Sequence, residues 1–373
     1  MRYNMRLFLT SDLHLGMKFA GYPSAQEKLI EARFQALKRC VDIANDRQCD
    51  LFVVGGDLFD RVSVAKATIK RAADMLGDFQ GRLAAVLPGN HDFITERPDG
   101  LWALFKEFAG DRVLVLESKK IYFLKPYDLD VHVYAAPCEA KRSAENNIGW
   151  IREADKEKDA LVHIGIAHGS LEGLSPDFNR DYYPMTESEL SACGLDLWLM
   201  GHTHIPYPAA PGSTSKIFYP GTPEPDGFDC QHEGKALVIE INQAKQIQAD
   251  FVSTGTYRFY HEEIEISSFK DAERILAKYS EPQHRTALLK LKMKGRLPEE
   301  EYERLHMLHE ELQKNLTFLQ VDTGAVMVKI APDVIEREFT QNSFPYRLLK
   351  GFAENQDFEA LQIAYEFIRE TQR

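Results

Sequence analysis

Residues 7–19 read "LFLTSDLHLGMKF". An apolar run stops abruptly, and Asp12 and His14 follow with one leucine between them. Packing alone gives no reason for a carboxylate and an imidazole at a strand tip, because burying either without a partner is costly. Four more apolar runs end the same way. "LFVV" runs into Gly55-Gly56-Asp57-Leu58-Phe59-Asp60, and "LAAVL" into Pro88-Gly89-Asn90-His91-Asp92. "HIGIA" runs into His168-Gly169, and "LWLM" into Gly201-His202-Thr203-His204. In an open α/β sheet the carboxyl ends of strands are where ligands sit, so these tips can converge on one patch.

Around these tips, short apolar runs alternate with amphipathic segments, which is the α/β pattern. Strands are predicted over 6–10, 51–54, 83–87, 131–135, 163–167, 197–200, 216–219 and 236–241. Ile30, Phe34, Leu37, Val41 and Ala44 recur at steps of three and four and predict a helix; a second is predicted over 64–76. Between 111 and 137, "VLVLE", "KIYFL" and "VHVYAA" read as successive strands, so the sheets should mix parallel and antiparallel pairs. Near 254–256 the character changes. The runs "EEIEI", "SFKDAERILAKY", "ALLKLKMKG", "PEEEYERLHMLHEELQKNL" and "AVMVKI" spell a βαβαβ unit, and a helical tail follows Pro332.

With 373 residues, 44% of them hydrophobic, the chain can bury a sizeable core and is expected to form more than one domain. Cys40, Cys49, Cys138, Cys193 and Cys230 are scattered and odd in number, with no C-x-x-C pair. Neither a disulfide framework nor a zinc ribbon is indicated, which points to a reducing compartment. Leu7–Leu9 is too short for a signal-peptide core, and no run approaches the ~18–20 apolar residues of a membrane span. The expectation is a soluble, cytoplasmic protein with no membrane partner. A net charge of −12 argues against coating nucleic acid by bulk electrostatics, but leaves room for a local basic groove or a metal site that neutralises phosphate.

The donors at the five tips are two carboxylates (Asp12, Asp57), one amide (Asn90) and four imidazoles (His14, His168, His202, His204). A mixed nitrogen and oxygen set without thiolates suits Mn²⁺, Fe²⁺ or Zn²⁺. Seven ligands exceed the needs of one four-coordinate ion, and two ions sharing a bridging carboxylate fit. Asp12 and His14 are two apart, as are His202 and His204; in extended backbone such pairs project to one side. The glycines before Asp57, Asn90 and His202 should allow sharp turns and positive φ.

In this order, D-x-H, G-D, G-N-H-D, H and G-H-x-H resemble the calcineurin-like metallophosphoesterases. "SDLHLG", "GGDLFD", "LPGNHD" and "YPGTPEP" resemble, within them, the SbcD-type DNA-repair exonucleases, including the bacterial YhaO-like branch. The resemblance implies an α/β fold: an αββα metallophosphoesterase sandwich with mixed sheets over 1–255. A small βαβαβ capping domain over 256–331 and C-terminal helices over 332–373 would follow, the last a region for docking a partner. It implies that Asp12, His14, Asp57 and His204 hold one ion. Asp57, Asn90, His168 and His202 hold the other, with Asp57 bridging. His91 would face the scissile phosphate, and Asp92 would help orient its imidazole. Some family members carry a histidine where this chain has Asp60, so an assisting acid at that position is not carried over.

The activity so implied is hydrolysis of DNA phosphodiesters with two divalent ions, most simply Mn²⁺. It is expected to be exonucleolytic, with single-strand endonuclease activity alongside, in DNA repair or end processing. Implied partners are DNA, an SbcC-like coiled-coil ATPase and a second copy of the chain. Two alternatives stay open: a phosphoesterase on a small nucleotide, and a DNA-end binding subunit of such an ATPase with secondary nuclease activity.

Lys290, Lys292 and Lys294 alternate along one strand face and read either as a phosphate-tracking stripe or as solvent-side lysines that deter aggregation. Phe358, Leu361, Tyr365 and Ile368 form a stripe on the last helix that either closes the domain or docks a partner.

Overall fold

A computed structural model of the protein describes residues 4–154, 160–175, 177–212, 215–330 and 332–371. The chain divides into two compact units, Met1–Arg258 and Phe259–Arg373.

The first unit contains β1 (Met5–Thr10), α1 (Gln26–Asp46), β2 (Leu51–Val54), α2 (Lys66–Gly77), β3 (Leu83–Val86), α3 (Leu101–Phe108) and β4 (Val113–Val115). Then come β5 (Ile121–Phe123), β6 (Val131–Ala136), α4 (Gly149–Glu153), β7 (Val162–His168), α5 (Glu187–Ala192), β8 (Leu197–Gly201), β9 (Ile217–Phe218), β10 (Lys235–Ile241) and β11 (Ile247–Ser253). A six-stranded sheet runs β11-β10-β1-β2-β3-β4 and a five-stranded sheet runs β5-β6-β7-β8-β9. The strands from β1 to β4 are parallel, with β10 antiparallel to β1; β6 to β9 are parallel, with β5 antiparallel to β6.

Side-chain alternation explains the layering. Leu7, Leu9, Leu51 and Val53 point to one face and share a core with Val133, Ile164, Ile166 and Leu199 of the second sheet. Phe8, Phe52 and Val54 point the other way and pack on Phe34, Leu37 and Val41 of α1 and Ile69 and Leu76 of α2. On the far side, Tyr134, Trp198 and Met200 pack on Ile151 of α4 and Leu190 of α5. The result is the αββα sandwich, and because both faces of each sheet are covered, the central strands read as unbroken apolar runs. All five cysteines are buried and free.

One polar clamp closes this unit. Glu224, 1% exposed, accepts from the backbone N–H groups of Thr256 and Tyr257, each at 2.8 Å. Arg39 of α1 pairs with the same carboxylate at 3.1 Å and donates to the Thr254 carbonyl at 2.6 Å.

The second unit contains β12 (Arg258–Ile266), α6 (Phe269–Tyr279), β13 (Ala287–Leu297), α7 (Glu299–Glu303), α8 (Leu305–Asn315) and β14 (Phe318–Val328). Its sheet order is β12-β13-β14, with β13 and β14 parallel. Leu289, Leu291 and Met293 face α6 and α8 through Ala272, Leu308 and Leu312. The single helix expected over the "PEEEYERLHMLHEELQKNL" run is broken at Arg304, and β14 begins at Phe318, ahead of the "AVMVKI" run. The tail forms α9 (Pro332–Glu338), α10 (Phe344–Glu354) and α11 (Phe358–Thr371), with Ile335, Leu349 and Leu361 in its core. Gln362 ties it to the end of β14, donating to the Val328 carbonyl at 3.1 Å and accepting from Ile330 N–H at 2.8 Å. Among the described residues no helix is long and apolar enough to cross a membrane.

Leu289 is fully buried in the second unit. Leu289→Ala should cost roughly 2–5 kcal/mol of that unit's stability. Urea denaturation followed by a tryptophan-independent probe should show the loss, while metal uptake by the first unit stays unchanged.

Candidate metal centre

The strand tips meet through backbone hydrogen bonds that outlast the strands. Asp12 N–H donates to the Gly56 carbonyl at 3.1 Å, His14 to Asp57 at 3.0 Å and Leu15 to Leu58 at 2.9 Å. The chain here is not extended, contrary to the expectation from the i, i+2 spacing. Asp12 (φ 57°), His14 (φ 45°), Asp57 (φ 52°) and His202 (φ 97°) all lie at positive φ. Left-handed turns, rather than strand alternation, aim these side chains together. Non-glycine residues pay for such conformations in strain, which collects at functional sites.

The glycines act in two ways. Gly56 has φ +106°, as expected, and its missing Cβ leaves room for the His168 ring. At Gly89 the requirement is space, since a Cβ there would collide with the Asp57 carboxylate.

Asp57 is the hub. It is 1% exposed, and its Oδ1 accepts from His91 N–H at 2.8 Å. Its Oδ2 stands 3.3 Å from His168 Nε2 and 3.7 Å from His14 Nε2, so one oxygen lies between imidazoles of both predicted ligand groups. Asn90 Oδ1 lies 3.0 Å from His168 Nε2 and 3.1 Å from His202 Nδ1. On the other side, the Nε2 atoms of His14 and His204 are 3.2 Å apart, and Asp12 Oδ1 is 3.8 Å from His204 Nε2. Asp12 also accepts from His202 N–H at 3.1 Å, joining β1 to β8. All seven predicted donors are thus gathered at one end of the sandwich.

Burial raises the Asp57 carboxyl, but His168, His14 and His91 outweigh it and hold the group well below the usual carboxylate range. Burial raises Asp12. His14 is pushed well down by burial, and its Nδ1 is buried without a hydrogen-bond partner. Burial also lowers His202, helped by the charge of His168, to about 3. Burial lowers His168 and His204 too, but Asp57 beside the first and Asp226 beside the second raise each to about 9. His168 Nδ1 donates to the Gly55 carbonyl at 2.9 Å, leaving Nε2 as the inward atom. Asp12, His14 and His204 hold ligand atoms within 4.8 Å of one another, as do Asp12, Asp57 and His168. Such a gathering of oxygen and imidazole acceptors fits hard or borderline divalent cations.

His91 is half-buried, with its Nδ1 3.0 Å from the Asp60 carbonyl and its ring edge-on to His14 at 4.7 Å. A carbonyl only accepts, so Nδ1 carries the proton and Nε2 is left for chemistry. The contact uses the Asp60 main chain, and the Asp60 carboxylate pairs with Arg61. Asp92 does a different job from the one expected of it. Its oxygens accept from Phe59 N–H at 2.9 Å and Gly89 N–H at 2.7 Å, so it braces the loop backbone and does not touch the imidazole.

Lys290, Lys292 and Lys294 lie in the other unit, on the central strand β13. Lys292 pairs with Glu263 at 3.2 Å and stands in register with Asp322. Sequence reading missed Asp226, whose Oδ2 is 2.9 Å from His204 Nδ1, and Arg33 behind it. It also missed Tyr182, whose ring lies 5.1 Å from that of His202. The "YPGTPEP" run, which ends just before Asp226, was the available signal for the first of these. A cavity of ≈ 440 Å³ opens beside His202 and His204, lined also by Asp177, Tyr182, Asp226 and Asp229.

A family model described as calcineurin-like phosphoesterase matches residues 5–206. The chain is 26% identical over 207 residues to the uncharacterized metallophosphoesterase YhaO of Bacillus subtilis, covering 52% of this chain and 47% of that protein. It is 24% identical over 274 residues to the DNA double-strand break repair protein Mre11 of Methanopyrus kandleri, covering 66% and 56%. A protein of the same description from Archaeoglobus fulgidus is 23% identical over 297 residues, covering 72% and 64%. The chain therefore spans between about half and just under two thirds of the length of these curated relatives.

Ligation needs neutral imidazoles, and His168 and His204, each at about 9, hold protons at pH 7 in the metal-free protein. Loading the centre should then release about two protons per chain, and apparent affinity should rise with pH towards 9 and fall with acid. Calorimetric titrations in buffers of different ionisation enthalpy count those protons, and ion uptake with none released would contradict ligation by both residues.

Proposed function

This chain belongs to the calcineurin-like phosphoesterases, hydrolases of phosphoester bonds, and on that premise we propose that it cleaves DNA phosphodiesters with two divalent ions. The observation that carries the metal chemistry is Asp57: a buried carboxylate with one oxygen set between His14 and His168. In this reading Asp12, His14, Asp57 and His204 hold one ion, and Asp57, Asn90, His168 and His202 the other, with Mn²⁺ the expected metal. Such a pair of cations neutralises phosphoryl oxygens and lowers the pKa of a water.

The chain's own residues do the rest. Asp57 stays ionised to anchor charge, Asp12 accepts from His202 N–H to join two strand tips, and the Gly55 carbonyl sets the tautomer of His168. His91, fixed through Nδ1–H to the Asp60 carbonyl, points Nε2 at the reacting group; when the ring carries a second proton there, that N–H would steady the charge developing on the phosphate or pass its proton to the leaving oxygen. Asp92 keeps the loop under His91 rigid through Phe59 and Gly89.

DNA as substrate is supported by two relatives described as DNA double-strand break repair proteins, and by a second compact unit that a small-molecule phosphoesterase has no need of. The expected role is exonucleolytic end processing. The proposed SbcC-like ATPase partner would dock on the tail, a reading supported by the exposure of Phe344, Phe358, Ile363 and Phe367. The cavity beside His202 and His204 is lined by Asp177, Asp226 and Asp229 and, among the described residues, by no lysine or arginine, so phosphate binding there would rest on the two ions.

His91→Ala should lower turnover of linear duplex DNA in Mn²⁺ by about 10²–10⁴-fold, with both ions retained by elemental analysis. Robust turnover of a chromogenic phosphodiester with none on any DNA, alone or with an ATPase partner, would sink the nuclease reading in favour of the small substrate.

A further inference from the structure

His204 is held differently from its neighbours. His168 turns Nδ1 to a neutral main-chain carbonyl, whereas His204 turns Nδ1 to a carboxylate, Asp226 Oδ2, at 2.9 Å. The Asp226 side chain is only 12% exposed. Behind it stands Arg33 of α1, with its side chain 1% exposed and its Nη2 3.4 Å from the same Asp226 oxygen. Arg33 Nη1 donates to the Leu13 carbonyl at 2.9 Å, with the Asp12 carbonyl at 3.3 Å and Thr222 Oγ1 at 3.4 Å. Its Nε and Nη2 are buried without a hydrogen-bond partner, so the contact with Asp226 is an ion pair. Taking a guanidinium out of water costs several kcal/mol, so packing alone does not account for it. Its partners are the backbone of the D-x-H turn and the carboxylate that faces His204.

We propose that Asp226, backed by Arg33, is a positioning pair that aims the imidazole of His204 at one of the two metal ions and leaves the other ion untouched. The proposal rests on the two-ion reading above. Accepting from Nδ1–H, Asp226 keeps the Nε2 lone pair directed inward, beside His14 Nε2 and Asp12. A carboxylate in this position also makes the imidazole a stronger donor. Arg33 balances the charge of Asp226 and ties the Asp12–Leu13 backbone to it. Asp12, His14 and His204 are thereby held as one group. Among the described residues no carboxylate–arginine pair of this kind backs Asn90, His168 or His202: their side chains meet one another, Asp57 and main-chain oxygen, with the Tyr182 ring beside His202.

The test is Mn²⁺ binding by the full chain, read by equilibrium dialysis and by electron paramagnetic resonance. The unmutated protein should take two ions and show an exchange-coupled pair. Asp226→Ala should bind one ion about 10–100-fold more weakly and the other within about threefold of normal. An isolated six-line Mn²⁺ signal should replace the coupled spectrum. Asp226→Leu keeps the bulk, removes the acceptor and should do the same; Asp226→Asn keeps an acceptor oxygen and should recover part of the loss. Thermal melting of the metal-free variants checks that they fold. Two ions bound with normal affinity by the Ala and Leu variants, or equal weakening of both, would overturn the proposal. Fewer than two ions on the unmutated protein would overturn the two-ion reading itself, so the two failures are told apart.

Discussion

The structure depends on keeping one carboxylate ionised where water barely reaches. Asp57 is 1% exposed, and an isolated buried carboxylate would neutralise rather than stay charged. Its charge survives because a backbone N–H of His91 and the rings of His168 and His14 surround it. Those groups come from three different strand tips in two different sheets. The sheets must therefore pack face to face with those tips at the same end, which is what the shared core of Leu7, Leu9, Ile164 and Ile166 accomplishes. Gly89 is required for the same reason, since any side chain there would enter the carboxylate.

The gathered carboxylates also bear on how an acidic chain could attract phosphate. With a net charge of −12, long-range attraction is unfavourable, and two divalent cations would reverse the sign only locally. Lys292, which looks like a free cation in the sequence, is answered by Glu263 and faces Asp322. Electrostatic attraction on the proposed reading is thus concentrated at the centre rather than spread over a surface.

Much of the sandwich was legible because its strands are buried on both faces and so read as unbroken apolar runs closed by polar tips. The run 51–54 coincides with β2, and helix α1 follows from the spacing of Phe34, Leu37 and Val41. What was hidden had no one-dimensional signature. The left-handed turns at Asp12, His14 and Asp57 are a property of backbone pairing, not of residue type. Arg33 sits among Glu31 and Gln35 on a helix and reads as one more solvent-side charge; only the fold reveals that it is buried. Strand β11 was missed because Gln248 and Asp250 face solvent at a sheet edge, which breaks the apolar run. The bracing role of Asp92 likewise depends on where Phe59 and Gly89 come to rest.

The Glu224 clamp carries a consequence for how this catalytic unit could be exchanged between proteins in evolution. Residues 254–257 read as a connector, yet the amides of Thr256 and Tyr257 and the carbonyl of Thr254 are committed to Glu224 and Arg39. Recombination that joined a new partner at the apparent seam, ahead of Thr256, would disturb two of the donors to a buried carboxylate and leave Arg39 to offset its desolvation. Asp226 lies two residues beyond Glu224, so the damage would reach His204. A heritable cut that spares the centre therefore falls after Tyr257, and the connector travels with the catalytic unit as an inseparable part of it.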